Sequence, residues 1–224
     1  YSYTLHMPGK GIYNLTEEDS IITFDDYTLD DMVMTYDYSY NNGQWNSHYC
    51  LTMADGIKYY FSSSGVLIGK KDRYGNTIKY NYVLLSNSYL YITKITDTAG
   101  REVNFTYGTD LITITTPDNN TIQLVRNSNE GLDEIIWQNS TETEYTYSAS
   151  TAGFDFFNKT GNDLTITYNL LTNVTYETGA QLVYTYGSAL INISEDGAQH
   201  IYRVTERKLV SENIEYGKMN YTYT

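Results

Sequence analysis

The chain has 224 residues, 41% hydrophobic and 18% charged, and 27 acidic against 14 basic side chains leave a net charge of -13. That apolar content belongs to a folded chain rather than a disordered one, and the length suits one β domain. The acidic balance opposes phosphate backbones and anionic lipid, which argues against nucleic acid as a partner, and the single Cys50 excludes an internal disulfide framework or a four-cysteine zinc site.

Tyrosine is the compositional anomaly, with 26 copies against 6 Phe and 2 Trp. A tyrosine ring covers a sheet face while its hydroxyl reaches a wet edge, so the excess favours sheets. No apolar run is long enough for a membrane-spanning helix, and Tyr1–Gly11 lacks the layout of a signal peptide. Both termini read as strand phrases, which makes a fragment of a longer repetitive chain the expectation.

Tyr1–Leu5 alternates as a strand does, and the turn chemistry of Pro8-Gly9-Lys10-Gly11 ends it. Lys10 between glycines lacks the spacing of a phosphate loop. After the short strand Ile22-Thr23-Phe24 come Asp25, Asp26, Asp30 and Asp31, without the alternate-position oxygens and central glycine of a calcium loop. A solvated acidic turn is the reading.

Met32–Tyr40 is predicted to be a strand, Asn41-Asn42-Gly43 its hairpin turn and Trp45–Met53 the return. His48 and Cys50, two apart, would share a strand face. A Cys–His nucleophile pair is chemically conceivable there, but the sequence offers no orienting third group, and a packed cysteine beside an ordinary histidine is the simpler account.

From Asp55 a phrase repeats: a turn glycine, then apolar residues three, five and seven positions on. Gly75 leads to Ile78, Tyr80 and Tyr82; Gly100 to Val103, Phe105 and Tyr107; Gly161 to Leu164, Ile166 and Tyr168; Gly179 to Leu182, Tyr184 and Tyr186. Gly75, Gly100, Gly161 and Gly179 are therefore the expected turn pivots, since glycine alone takes positive φ freely. Pro117-Asp118-Asn119-Asn120 puts Asn in the pivot role, which Asn tolerates. In Tyr89–Thr96 the apolar parity changes, so either both faces are covered or a bulge shifts the register. Gly197 keeps the phrase poorly, and Gly217 leads to Tyr221 and Tyr223 one step late. Clear neighbouring pivots stand roughly 18 to 25 residues apart, one turn-and-strand pair per unit, and no helical period appears. The expected organisation is divergent hairpins over 1–54 followed by hairpin repeats over 55–224, an all-β chain of antiparallel strands.

The phrases Asp72-Arg73-Tyr74-Gly75-Asn76-Thr77-Ile78-Lys79-Tyr80-Asn81-Tyr82 and Asp97-Thr98-Ala99-Gly100-Arg101-Glu102-Val103-Asn104-Phe105-Thr106-Tyr107 resemble the tyrosine-aspartate (YD) repeats of the rearrangement-hotspot (RHS) family. The resemblance covers about Asp55–Tyr107, recurs at Gly161–Tyr186 and is faint in the first fifty residues. Val83, Gly108 and Gly187 stand where the family's aspartate follows the second tyrosine. The resemblance implies a large secreted or surface-exposed bacterial protein whose repeats wind a β-sheet into a spiral shell around a toxin or effector. The implied partner is that downstream domain or other segments of the same long chain, with a cell-surface glycan or protein as a further one. The family's self-cleaving aspartates belong to a terminal motif with no counterpart here, so the resemblance brings no catalytic residue and no cofactor.

Three functions compete on the residues themselves. A non-catalytic structural segment follows from repeats that fill the chain. A binding module would use aromatic rings as platforms for sugar faces, with Trp45 and Trp137 as candidates, although rings packed in the sheet are the preferred account of both. A glycosidase would need two carboxyls facing across a cleft, and rests on nothing beyond abundant acids such as Glu17, Glu18, Asp25 and Asp26.

Overall fold

A computed structural model of the chain describes residues 2–7, 9, 11–27, 29, 31–85, 89–128, 131–156, 164–194 and 197–223, with the backbone alone at 152–156, 164–166, 192–194 and 197–200. Its described elements are all strands: β1 (Ser2–Met7), β2 (Gly11–Glu18), β3 (Ile21–Phe24), β4 (Met32–Tyr36), β5 (Tyr49–Met53), β6 (Lys58–Phe61), β7 (Leu67–Lys71), β8 (Thr77–Leu84), β9 (Leu90–Asp97), β10 (Glu102–Tyr107), β11 (Leu111–Thr115), β12 (Thr121–Arg126), β13 (Leu132–Ile136), β14 (Glu142–Phe156), β15 (Leu164–Thr175), β16 (Gln181–Ser194), β17 (Gly197–Ser211) and β18 (Ile214–Asn220). The chain is all-β and antiparallel. It divides into two compact units, one of Tyr1–Thr106 with Thr115–Asn119 and one of Tyr107–Ile114 with Asn120–Thr224.

In the first unit β1, β2 and β3 form a small antiparallel sheet, and Asp19 and Ser20 turn between β2 and β3 at φ of 51° and 65°. Strands β4 to β10 then neighbour one another in sequence order. The middle of this run is buried on both faces. Leu51 joins Met32 and Met34 against Leu5 and Leu15 of the small sheet, while Cys50, Tyr60 and Ile68 face the other way against Tyr40 and Trp45. Alternation dictates this split, because Cys50 pairs with Tyr60 and Leu51 with Tyr59. Leu15, Leu51 and Ile68 are almost fully enclosed, and each such burial stabilises by about 1.5–3 kcal/mol.

Six of the described hairpin turns share one geometry. The Asp72 N–H bonds the Asn76 carbonyl at 2.9 Å and the Gly75 N–H bonds the Asp72 carbonyl at 3.2 Å; the same two bonds close 53–57, 62–66, 97–101, 137–141 and 176–180. This is a tight turn followed by one residue in the left-handed region, the three-residue hairpin loop with a bulge. Gly75, Gly100 and Gly179 occupy that fourth position at φ of 94°, 78° and 77°, and Asn119 and Ser140 hold it at 61°. Gly161 lies outside the described residues. Gly197 begins β17, and Gly217 sits within β18 at φ 57°, beside a register shift between Arg207 and Leu209 of β17. The turn before β18 belongs instead to Glu212 and Asn213, at φ of 50° and 63°.

A second device recurs seven residues beyond the pivot. Tyr82, Tyr147 and Tyr186 each donate a hydroxyl hydrogen bond to the carbonyl fifteen residues earlier, that of Leu67 at 2.6 Å, Leu132 at 2.8 Å and Leu171 at 2.8 Å. Each tyrosine also stands at a β-bulge. The pairing skips from Lys94 to Ile92 opposite Tyr82, from Asn173 to Leu171 opposite Tyr147, and from Glu206 to Val204 opposite Tyr186. The residue left over is a threonine every time, namely Thr93, Thr172 and Thr205. Thr172 and Thr205 donate to the carbonyls of Thr146 and Thr185 across the bulge, at 3.0 and 3.2 Å. The bulge at Thr93 is also why the apolar parity changes within Tyr89–Thr96.

In the second unit β14 and β15 form a long ribbon, paired from Glu144 with Thr175 to Phe154 with Leu164, and β16 and β17 form another, from Gln181 with Val210 to Ser194 with Gly197. The ribbons join at one end through Asn173–Thr175 against Gln181–Val183. At the other, Phe154–Phe156 of β14 pairs with Gly197–Gln199 of β17. The four strands thus make a closed circuit of pairings, crossed by the Tyr202 hydroxyl donating to the Thr151 carbonyl at 2.9 Å.

Candidate functional site

Trp45 belongs to an excursion of the chain between β4 and β5. The predicted strand Met32–Tyr40 stops at Tyr36, because the chain leaves the sheet there, and Asn41 bridges Asn46 across the turn at Gly43. The excursion lays alternate side chains along alternate residues of β8. Tyr40 donates to the Ile78 carbonyl at 3.2 Å, Asn42 to that of Tyr80 at 2.6 Å, and Gln44 to that of Tyr82 at 2.8 Å, while the Gln44 side-chain oxygen accepts the Tyr82 N–H at 2.9 Å. At Tyr80 and Tyr82 side-chain groups thus stand in for a neighbouring strand, since the pairing of β7 with β8 ends at Lys79. Trp45 stacks on Tyr82 at 5.7 Å and Tyr40 on Tyr60 at 4.3 Å. The Trp45 ring is half-buried and engaged by this packing, so it presents no open platform.

Trp137 is 40% exposed and borders a surface cavity of about 530 Å³ in the second unit. Tyr176, also 40% exposed, is on the same cavity, with Gln138, Asn139, Thr141 and Glu177. Trp137 and Tyr176 hold the same place in the repeated turn, its first residue. In the turns of Gly75 and Gly100 that place belongs to Asp72 and Asp97. Asp72 accepts the N–H groups of Tyr74 and Asn76, and the Asn76 side chain and these N–H groups hold its carboxyl below the usual range. Asp97 is lowered by Arg101, which bonds it through side chain and backbone. Where an aromatic replaces the aspartate, the turn needs another cap. Asn139 supplies one by accepting the N–H of Thr141 at 3.3 Å and its hydroxyl at 2.8 Å. The Trp137 Nε1–H donates to the buried Thr143 hydroxyl at 3.1 Å, which fixes the indole and leaves ring carbon outward.

A second cavity, of about 840 Å³, opens in the first unit between the small sheet and the strands it covers. Tyr3, Leu5, Met34, Leu51 and Phe61 make it largely apolar, and Ser63 and Ser64 are at its rim. Among the carboxylates, Glu17 is held below its ordinary value by hydrogen bonds from the phenols of Tyr3, at 2.7 Å, and Tyr36. A carboxyl kept ionised in this way is the opposite of a general acid. Glu18, Asp25 and Asp26 are exposed, Asp31 is engaged by the Tyr27 hydroxyl, and Asp30 lies outside the described residues. A cluster that sequence reading missed sits on β13 and β14, where Glu134 faces Glu144 directly and Glu142 pairs beside it. Burial, then the charge of Glu142, raises the Glu134 carboxyl.

Cys50 is 1% exposed, burial raises its thiol, and its sulfur neighbours the Thr52 hydroxyl at 3.8 Å. The His48 ring packs edge-on against Tyr36, Tyr38 and Tyr49. A buried thiol raised away from thiolate is a packed side chain and no poised nucleophile.

No family model and no curated protein matches the chain. Among solved structures it is similar to a porin-like protein from Bacteroides uniformis, at a TM-score of 0.38 and 12% identity over 91% of this chain and 85% of that one. Similarity at that level carries no argument.

Proposed function

We propose that the chain is a non-catalytic structural segment of a secreted or cell-surface bacterial protein of the RHS/YD-repeat kind, contributing to a curved β-wall that encloses or presents a toxic effector. One observation supports this reading above the others. The same three-part device of left-handed pivot, tyrosine latch and threonine bulge is built around Tyr82, Tyr147 and Tyr186, although the pivots differ as Gly75, Ser140 and Gly179. Recurrence of backbone architecture with changing side chains is what a scaffold built by repetition requires. The partner in this reading is a downstream domain of the same polypeptide, and neither nucleic acid nor a cofactor has a part in it.

The test is to express the downstream coding segment alone and together with this repeat region, and to score growth of the host. The proposal expects a segment that is toxic alone and masked in the longer chain. A harmless downstream segment would overturn it, as would substrate hydrolysis by the purified repeat region that disappears on changing one carboxylate.

A further inference from the structure

We infer that the cavity between the turns of Trp137 and Tyr176 is a binding site for an uncharged hexopyranose unit of a glycan. The inference rests on the local geometry of the second unit and is independent of the scaffold reading. The topology places the two turns together. Pairing of Glu144 with Thr175 brings the end of β15 beside the start of β14, so the turn that opens at Tyr176 lies next to the turn that opens at Trp137.

Each turn carries its aromatic at the position that Asp72 and Asp97 hold in the turns of Gly75 and Gly100, and both rings stay 40% exposed on one cavity. Such an exchange moves the side-chain cap two residues on, to Asn139 in one turn and Thr178 in the other. It leaves two apolar faces in water, an arrangement that folding alone does not favour. With its one polar atom bonded to Thr143, the indole offers only carbon to a ligand. The ligand must therefore bring a flat apolar face of its own.

The remaining groups define the rest of the ligand. Gln138, Asn139, Thr141 and Glu177 border the rings. Asn139 has committed its side-chain oxygen to Thr141, so its amide nitrogen is the donor on offer. Glu177 accepts only, which suits hydroxyl donors. Among the described residues neither lysine nor arginine lines the cavity, and the chain carries a charge of -13, so phosphate, sulfate and carboxylate ligands are repelled. A flat C–H face with a fringe of hydroxyls and no charge is the description of a neutral pyranose. A volume of about 530 Å³ accommodates one or two such rings.

The experiment follows the emission of Trp137 in the Trp45→Phe variant, which leaves it the sole tryptophan. Methyl glucosides, galactosides and mannosides, their disaccharides and a sialylated control are titrated up to about 10 mM, where weak sites still register. The expected result is a saturable change with at least one neutral sugar and none with the sialylated one. Calorimetry on otherwise native protein should show binding weakened by about tenfold or more in Tyr176→Ala and in Trp137→Ala, the loss expected on removing a stacked ring. Tyr74→Ala, which removes an exposed ring at another turn, should leave affinity unchanged. If Trp137→Ala does not fold, as judged by circular dichroism, Tyr176→Ala and Glu177→Gln carry the test. Silence across the neutral panel, preference for the charged glycan, undiminished binding in Tyr176→Ala, or displacement by peptide but by no sugar would each overturn the inference.

Discussion

The Tyr82 hydroxyl reaches back fifteen residues to donate to the Leu67 carbonyl at 2.6 Å, and burial pushes its phenol up to about 12. The bond restrains β8 against β7 beyond the point where their ladder stops, for their last pair is Gly69 with Lys79. Replacing Tyr82 by Phe keeps the ring but leaves a carbonyl unpaired, which costs about 1–3 kcal/mol. Chemical denaturation should show that loss for Tyr82→Phe and a similar one for Tyr186→Phe. An unchanged midpoint in both would remove the latch as a stabilising element.

Alkaline unfolding should follow from the same burial. Tyr40 is also raised to about 12 by desolvation, against about 10 for a phenol in the unfolded chain. The folded state therefore holds these protons to higher pH than the unfolded state does. The associated stability is complete below about pH 10 and is lost as pH rises towards 12. Midpoints of urea unfolding measured from pH 8 to 12 should be flat at first and then fall. Tyr40→Phe and Tyr82→Phe together should flatten the fall.

Gly69 is required by space and Gly75 by backbone angle, and the two should respond differently. A Cβ at Gly69 would lie 2.2 Å from the Tyr40 hydroxyl and 2.3 Å from its ring carbons, in a stack that also holds Tyr60. Gly69→Ala should cost about 2–3 kcal/mol, as overpacking does, and most of the cost should vanish in a Tyr40→Ala background. Gly75 meets nothing within 4 Å but has φ of 94°. Gly75→Ala should cost about 1–2 kcal/mol whatever Tyr40 is.

Ser140 carries left-handed strain that its counterpart Gly179 does not. Ser140→Gly should stabilise the chain by about 0.5–1 kcal/mol, read as a raised thermal midpoint. A neutral or destabilising result would mean that the serine side chain contributes more than its backbone angle costs.

Glu134, facing Glu144 across β13 and β14, is a site of like-charge repulsion. Its carboxyl is raised, so it destabilises the folded state once both states are ionised and ceases to do so below about pH 4. Glu134→Gln should raise the thermal midpoint at pH 7 and have little effect at pH 3. The reverse order would show that the carboxylate is held by attraction.

The strands were legible because turn and alternation both leave marks in composition. Gly75, Gly100 and Gly179 announce turns, and Asn119 is close enough to glycine in its tolerance of positive φ to be read the same way. Ser140 is not, so nothing in the sequence marks the start of the unit that carries Thr143, Tyr145 and Tyr147 at the expected spacing. The threonine bulges were invisible in another sense, since an extra residue shows only when the partner strand is known. Met32–Tyr40 is a strand only as far as Tyr36, because its alternation beyond that point serves a different surface, with Tyr40, Asn42 and Gln44 addressing β8 by side chain instead of by backbone. The two tryptophans looked alike in sequence. What separates them is packing at long range: Tyr82, 37 residues from Trp45 in the chain, occupies one ring, whereas Trp137 is tethered by Thr143 nearby and left open.

The circuit of β14, β15, β16 and β17 sets a boundary on how a chain of this design can change length. Along β4 to β10 every strand pairs with its sequence neighbours, and beyond the span that Tyr40, Asn42 and Gln44 tie to β8, copying or deleting one segment from pivot to pivot disturbs only the strands on either side. Inside the circuit an inserted segment would have to be accommodated at both junctions at once. Gain and loss of units should therefore be tolerated between β8 and Glu142 and rejected between Glu142 and Ser211, which a series of in-frame duplications, scored by soluble yield, would map directly.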